Sequence, residues 1–344
     1  MTSRPVPPTK EFIFKIVTIG IGLVVAFVIF EIGLRLSGTV PMKLRPERNP
    51  EFVLIAKHPR WGWQNRPGQF PFVHADPTFN GVAVATINPD GGRSCAGSTD
   101  SDNKSTLLLL GGSFTFGWAV DDSQVLSCLL QNQRKTEVTN WAVAGFGTYQ
   151  SMLVMEDRLA NHPVERVIYG FYDHHEDRNI ATGTWRYSLN VYQGRTDVEV
   201  PYVSLSADGS LIRQLPLGQV ELPLRRWFST PVLFERVIMR WNDRERIDNK
   251  QMITFKLIET MATSAKSVGA SFTFVVLNAN EVIRQAYSEH LRANNIDFID
   301  CHQTLTPANA VPVDGHPDAS VHRAWAKCID RHLNINVTSP GPGL

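Results

Sequence analysis

Five short apolar runs, separated by stretches whose apolar residues recur at helical spacing, restrict what this chain can become more than any other feature. The runs are residues 106–111, 137–141, 166–172, 271–277 and 296–300. Between them Val125, Leu126, Leu129 and Leu130 make one helical face, and Tyr149, Met152, Leu153, Glu156 and Leu159 make a second. Residues 250–268 make a third. Apolar strands alternating with amphipathic helices predict a parallel sheet covered on both faces, joined by right-handed crossovers. In such sheets functional groups gather at the carboxyl ends of the strands. The 344 residues, 43% hydrophobic and 19% charged, suffice for one large domain with an insertion.

Residues 16–30 carry no charge, and apolar residues extend the segment to 12–36, with Lys15 and Glu31 near its ends. As a helix this covers roughly 35 Å, enough to cross a bilayer. A cleaved signal peptide is the competing reading, but the apolar stretch is long for one and Ser37-Gly38-Thr39 lacks the usual alanines. The expectation is an uncleaved anchor. Arg4, Lys10 and Lys15 precede the span while Arg35, Lys43, Arg45 and Arg48 follow it, so charge alone does not orient it. A short tail before a large C-terminal domain suits a signal anchor with the domain outside the cytoplasm. Cys95, Cys128, Cys301 and Cys328 form no Cys-x-x-Cys pair. Cys301 ends a predicted strand and Cys328 lies on the last helix, which makes them the expected bridge in an oxidising compartment, with free thiols the alternative. A net charge of +1, with no basic stripe, argues against a nucleic-acid partner.

The organisation that follows is a tail at 1–11, the anchor at 12–36, a linker and β-rich lead-in at 37–104, an α/β domain at 105–335 and a tail at 336–344. A cap at 180–248 interrupts the domain: 203–215 reads as a hairpin turning at Asp208-Gly209, and 231–241 as a short helix. Its Trp185, Tyr187, Tyr192, Tyr202, Trp227 and Trp241 either stack on sugar rings or form the cap's own core.

Two motifs carry chemistry. The run Leu107 to Leu110 opens into Gly111-Gly112-Ser113-Phe114-Thr115-Phe116-Gly117, and much later comes Asp314-Gly315-His316-Pro317. A serine hydroxyl becomes a nucleophile when an imidazole takes its proton, and the imidazole needs a carboxylate to fix its tautomer. Ser113, His316 and Asp314 supply those groups and point to acyl transfer. Trp118-Ala119 stands where a phosphate-binding loop would need Lys-Ser/Thr, which argues against one. His316 could also serve as a helix cap, and His322, within the last helix, reads as structural.

These residues resemble the SGNH/GDSL hydrolase superfamily. Gly111 to Gly117 is similar to its serine block, with Gly112 where the family has aspartate. Asn140-Trp141-Ala142-Val143-Ala144-Gly145-Phe146-Gly147-Thr148 is similar to the second block, and Thr86 to Arg93 to the lead-in of membrane-anchored bacterial members. Tyr172-Asp173-His174-His175-Glu176-Asp177-Arg178-Asn179 stands where the family has Gly-x-Asn-Asp, and Asp314 lies two residues before His316 where three is usual. The two-residue spacing also occurs in alginate-acetylating relatives.

The resemblance implies a three-layer flavodoxin-like α/β fold (SGNH hydrolase-like) with an inserted cap and an N-terminal transmembrane helix. It implies Ser113 as nucleophile, His316 as base, Asp314 as its acid, and an oxyanion site of the Ser113 and Gly145 N–H groups helped by His174. Arg178 either anchors an anionic substrate group or pairs with Glu176 or Asp177. No metal-ligand spacing accompanies His174, His175, Glu176 and Asp177, and no cofactor is expected. The expected activity is that of a single-pass bacterial inner-membrane esterase or O-acyltransferase with a periplasmic domain, acting on acyl, chiefly acetyl, groups of an envelope or exported polysaccharide alongside envelope polysaccharide machinery. The alternative is a catalytically degenerate module that binds glycan or organises a secretion complex.

Overall fold

The computed structural model describes residues 8–42, 54–95, 106–193 and 198–338. Arg4, Lys43, Arg45 and Arg48, the Tyr192 side chain and the end of the C-terminal tail lie outside the described residues.

The central sheet has five parallel strands. In chain order they are β5 (Thr106–Gly111), β6 (Glu137–Asn140), β7 (Arg166–Tyr172), β10 (Ser271–Asn278) and β11 (Asp297–Asp300), and in space they run β11-β10-β7-β5-β6. This is the doubly wound order in which the chain leaves the first strand to one side and the third to the other, placing the switch point between β5 and β7. Each of the five runs expected from the sequence is a strand of this sheet, within a residue or so at each end.

Alternation along the strands explains the layers. Leu108 and Leu110 of β5, Val167, Tyr169 and Phe171 of β7, and Phe272, Phe274 and Val276 of β10 face one core. That core is covered by α4 (Thr148–Asn161), the second half of α7 (Ser229–Ser267) and α8 (Glu281–Ala293). Leu107, Leu109, Ile168, Val275 and Leu277 face the other, under α3 (Leu126–Arg134) and α9 (Ala319–Thr338). Successive strand side chains point to opposite faces, so one leucine run serves both cores.

The lead-in is two antiparallel pairs, β1 (Ile55–His58) with β2 (Gly62–Asn65) and β3 (Gly68–Pro71) with β4 (Val84–Ile87). The hairpin read from the sequence is β8 (Val200–Leu205) with β9 (Leu211–Leu217), turning through Gly209 at φ 80°. Two short helices, α2 (Ser113–Phe116) and α5 (His175–Asn179), start just beyond the ends of β5 and β7, and α6 (Gly183–Gln193) follows. The helices expected at 231–241 and 250–268 are one continuous helix, α7. The polar stretch between them holds because Asp243 is buried and accepts from the Gly183 N–H and from Arg186, so it caps α6 from a distance.

The chain divides into two units, residues 1–44 with 220–242 and the rest. Residues 220–242, placed in the cap by sequence, thus group with the N-terminal helix. In that smaller unit α1 (Pro8–Leu36) contains an apolar stretch from Lys10 to Leu36 that is long enough to cross a membrane, with Glu31 buried near its end. In the larger unit two disulfides are present, Cys301–Cys328 as expected and Cys95–Cys128.

Candidate active site

Ser113 is the first residue of α2, directly after the Gly111-Gly112 end of β5. Its side chain is buried, with 5% of the residue exposed. As the first helical residue, its N–H has no partner within the helix. The chain then turns through Gly117 and Ala119, both with positive φ. A residue from the lead-in holds this turn from beneath. The fully buried Arg93 side chain pairs with Asp122 at 2.8 Å and donates to the carbonyls of Phe116, Gly117, Val120 and Val84. Arg93 thereby collects the carbonyls at the end of the serine helix, a part that was not legible from its place in the lead-in.

Asp314 and His316 lie on the loop between β11 and α9, and the structure brings them together. His316 Nδ1 is 2.6 Å from Asp314 Oδ1, which also accepts from the His316 N–H at 3.1 Å. The other carboxylate oxygen accepts from the indole N–H of Trp118, at 3.1 Å. Burial by itself raises the Asp314 carboxyl, but the His316 ring and N–H and the Trp118 indole together hold it below its ordinary value. The His316 ring lies edge-on to Phe114, with centroids 5.9 Å apart, and 6.0 Å from Trp118. Acid and base are thus fastened to the two residues that flank the serine turn. The Ser113 hydroxyl itself has no hydrogen bond among the described residues, to His316 or to any other group.

Gly145 follows β6 with φ 87°, and a Cβ there would come within 3.2 Å of both Trp63 and Trp185. The indole of Trp63 donates to the Ala144 carbonyl at 2.9 Å, which fixes one wall of this turn. Among the described residues neither the Ser113 nor the Gly145 N–H has a hydrogen-bond partner.

The helix after β7 places the histidines differently from the sequence reading. His174 precedes α5 and is exposed, its ring edge-on to Tyr172. His175, one residue on, is 1% exposed. Its Nδ1 lies 2.6 Å from the Tyr169 hydroxyl, which in turn meets Thr148 at 2.9 Å. Burial, with the charge of Arg178 added, pushes its imidazole well below the ordinary histidine value, so it is neutral. Arg178 is buried as well. It donates to the Phe146 carbonyl at 2.9 Å and to the Tyr172 hydroxyl, and it lies over the rings of Tyr172 and Trp185. Glu176 and Asp177 pair with Lys250 instead of Arg178.

These placements account for Gly112. A Cβ at that position would lie 2.8 Å from His175 Nε2 and 3.0 Å from Arg178 Nη1. The space beside the serine that a side chain at 112 would fill is held by an imidazole and a guanidinium, so a glycine is needed there. Three nitrogens on this side of the site are buried without a partner among the described residues: His175 Nε2, Arg178 Nε and Trp185 Nε1. With the Tyr169 hydroxyl donating to Thr148, the neutral His175 ring donates from Nδ1 and its Nε2 is an acceptor, whereas Arg178 Nε and Trp185 Nε1 are donors. A buried donor left unmatched is costly, so the Arg178 and Trp185 part of this wall is suited to acceptor oxygens.

Of the cap aromatics, Trp185 borders this site; Arg246 lies over Tyr202; Trp227 and Trp241 are exposed in the smaller unit. No protein-family model matches the chain, and no curated protein matches its sequence. Among solved structures it is similar to an acetyl xylan esterase from the rumen bacterium Butyrivibrio proteoclasticus, with 11% identity, a TM-score of 0.41 and coverage of 70% of this chain and 66% of that one. It is also similar to a family two carbohydrate esterase from Clostridium thermocellum in complex with cellohexaose, at 8% identity and TM-score 0.42, covering 70% and 66%. A member of the lipolytic G-D-S-L family from Veillonella parvula matches at 11% identity and TM-score 0.40, covering 68% and 100%. At likeness of this order the chemistry has to be read from this chain's own residues.

Proposed function

We propose that the chain is a membrane-anchored serine esterase or O-acyltransferase of the SGNH/GDSL type, acting on acyl esters of a cell-envelope or exported polysaccharide from the extracytoplasmic side of a bacterial inner membrane. The observation that carries this reading is the Asp314–His316 pair, tied through Trp118 and Phe114 to the turn that bears Ser113.

Asp314 fixes the Nδ1 side of His316, leaving Nε2 to take the Ser113 proton as Oγ bonds to the ester carbonyl carbon. The Ser113 and Gly145 N–H groups hold the resulting oxyanion, with the donors of Arg178 and Trp185 alongside. Arg178 in this arrangement lines the acyl site instead of anchoring a distant anion. When the intermediate collapses, the sugar oxygen leaves with the proton from His316, and the acyl group stays on Ser113. Water or a second sugar hydroxyl, deprotonated by His316, then takes the acyl group and restores the serine. The α1 span and the two disulfides support an anchored domain in an oxidising compartment.

The Ser113 hydroxyl's lack of a hydrogen bond to His316 favours a second reading, a glycan-binding or complex-organising module that keeps the cleft without turnover. A fluorophosphonate probe separates the two. The enzyme is labelled at Ser113 and turns over p-nitrophenyl acetate or an acetylated glycan, and Ser113→Ala and His316→Ala each lower turnover by several orders of magnitude with the fold intact. A protein that binds glycan but is neither labelled nor active is the module.

A further inference from the structure

We infer that residues 220–242 are a second membrane contact, inserting Trp227 and the stripe Phe234, Val237, Ile238 and Trp241 into the interface of the same bilayer that α1 crosses. The inference rests on the reading of α1 as an uncleaved span. Glu31 is the first charge after the apolar run 16–30, so it marks the edge of the hydrocarbon layer. Its carboxylate accepts from the Ser229 N–H at 2.6 Å and from the Thr230 N–H and hydroxyl at 3.0 Å, which makes it the cap of α7. One turn deeper, Phe27 packs edge to face on Phe228 with centroids 5.3 Å apart. Nearer the end of α1, Arg35 bonds both Glu31 and the Trp227 carbonyl. Residues 227–230 are therefore fixed at the depth of Phe27 to Arg35, at the hydrocarbon boundary. Trp227, 65% exposed, stands where tryptophans collect in membrane proteins.

The first turns of α7 agree. One side is buried, with Val232 at 0% and Met239 at 2% exposure. The opposite side carries Phe234, Val237, Ile238 and Trp241 at i, i+3, i+4 and i+7, between 38% and 73% exposed. A helix apolar on two opposite sides is one that is covered on both, and water covers neither well. Exposed Arg226, Arg236 and Arg240 accompany the stripe, a combination of aromatic and cationic groups that fits anionic headgroups above acyl chains.

The test uses the full chain in nanodiscs of phosphatidylethanolamine and phosphatidylglycerol, with and without a lipid bearing a nitroxide near the top of its acyl chain. Tryptophan emission of the wild type should be quenched, and Trp227→Phe/Trp241→Phe should lose most of that quenching. Mass spectrometry of the membrane-extracted protein reads the anchor separately: a chain cleaved near residue 36 removes the span reading and this one together. An intact N-terminus with equal quenching in wild type and variant overturns the interfacial contact alone. A stripe covered by a second copy gives no quenching and a dimer in detergent that Phe234→Ser converts to monomer, which also overturns it.

Discussion

The opposite placements of His174 and His175 show how far a single residue's direction decides what surrounds a site. Both lie beyond β7, but α5 begins between them and turns His174 to solvent and His175 under the serine turn. His174→Ala should therefore leave turnover within about twofold, as exposed side chains generally do. His175→Ala should lower stability by about 2–4 kcal/mol, through a cavity and the loss of one of the two partners of the Tyr169 hydroxyl. Its turnover should fall by about tenfold or more as the packing that holds the serine turn in place is lost. Denaturant unfolding and steady-state kinetics on the two variants check this, and equal effects would remove the distinction between the two histidines. The sequence carried both histidines and the glycine but not their proximity, because a turn and a strand end sixty residues apart meet only in the folded sheet. Asp314 and His316 were legible for the opposite reason, being neighbours in the chain.

At the scale of elements, the serine turn depends on groups brought to it from elsewhere. Arg93→Ala would strand the buried Asp122 carboxylate and several carbonyls, costing about 3–5 kcal/mol, to be read as a shift in the urea midpoint. His322, on α9, is fully buried and its Nδ1 accepts from the Leu126 N–H at the start of α3, at 3.3 Å. Burial, reinforced by the charge of Arg93, lowers its imidazole to about 3. Above the unfolded value near 6.5 both states are neutral and nothing is lost. As pH falls from there to about 3, the unfolded chain takes a proton that the folded chain refuses, and stability drops by about 1.4 kcal/mol per pH unit. His322→Asn, which keeps an acceptor but does not titrate, should flatten that slope in acid unfolding curves, and an unchanged slope would assign the loss to other groups. The five strands were legible because their alternation is local. The unbroken α7 was not, since its polar middle is satisfied by Gly183 and Arg186 from another element.

Across the whole molecule the two disulfides organise the chain. Non-reducing peptide mapping of protein recovered from an oxidising compartment should find Cys95 joined to Cys128 and Cys301 to Cys328. Reduction should lower stability by about 3–4 kcal/mol per bridge, from the loop lengths alone. The chain segments these bridges close, with sequence separations of 33 and 27, contain Ser113 in one case and both Asp314 and His316 in the other. Ser113 therefore sits in one covalent ring, and Asp314 and His316 in another. An extracellular protease that cuts a loop within either ring severs the backbone without freeing an end: both pieces stay tethered, and a nicked molecule runs at full mass until it is reduced. A single backbone cut therefore leaves each half of the site covalently attached to the rest of the chain.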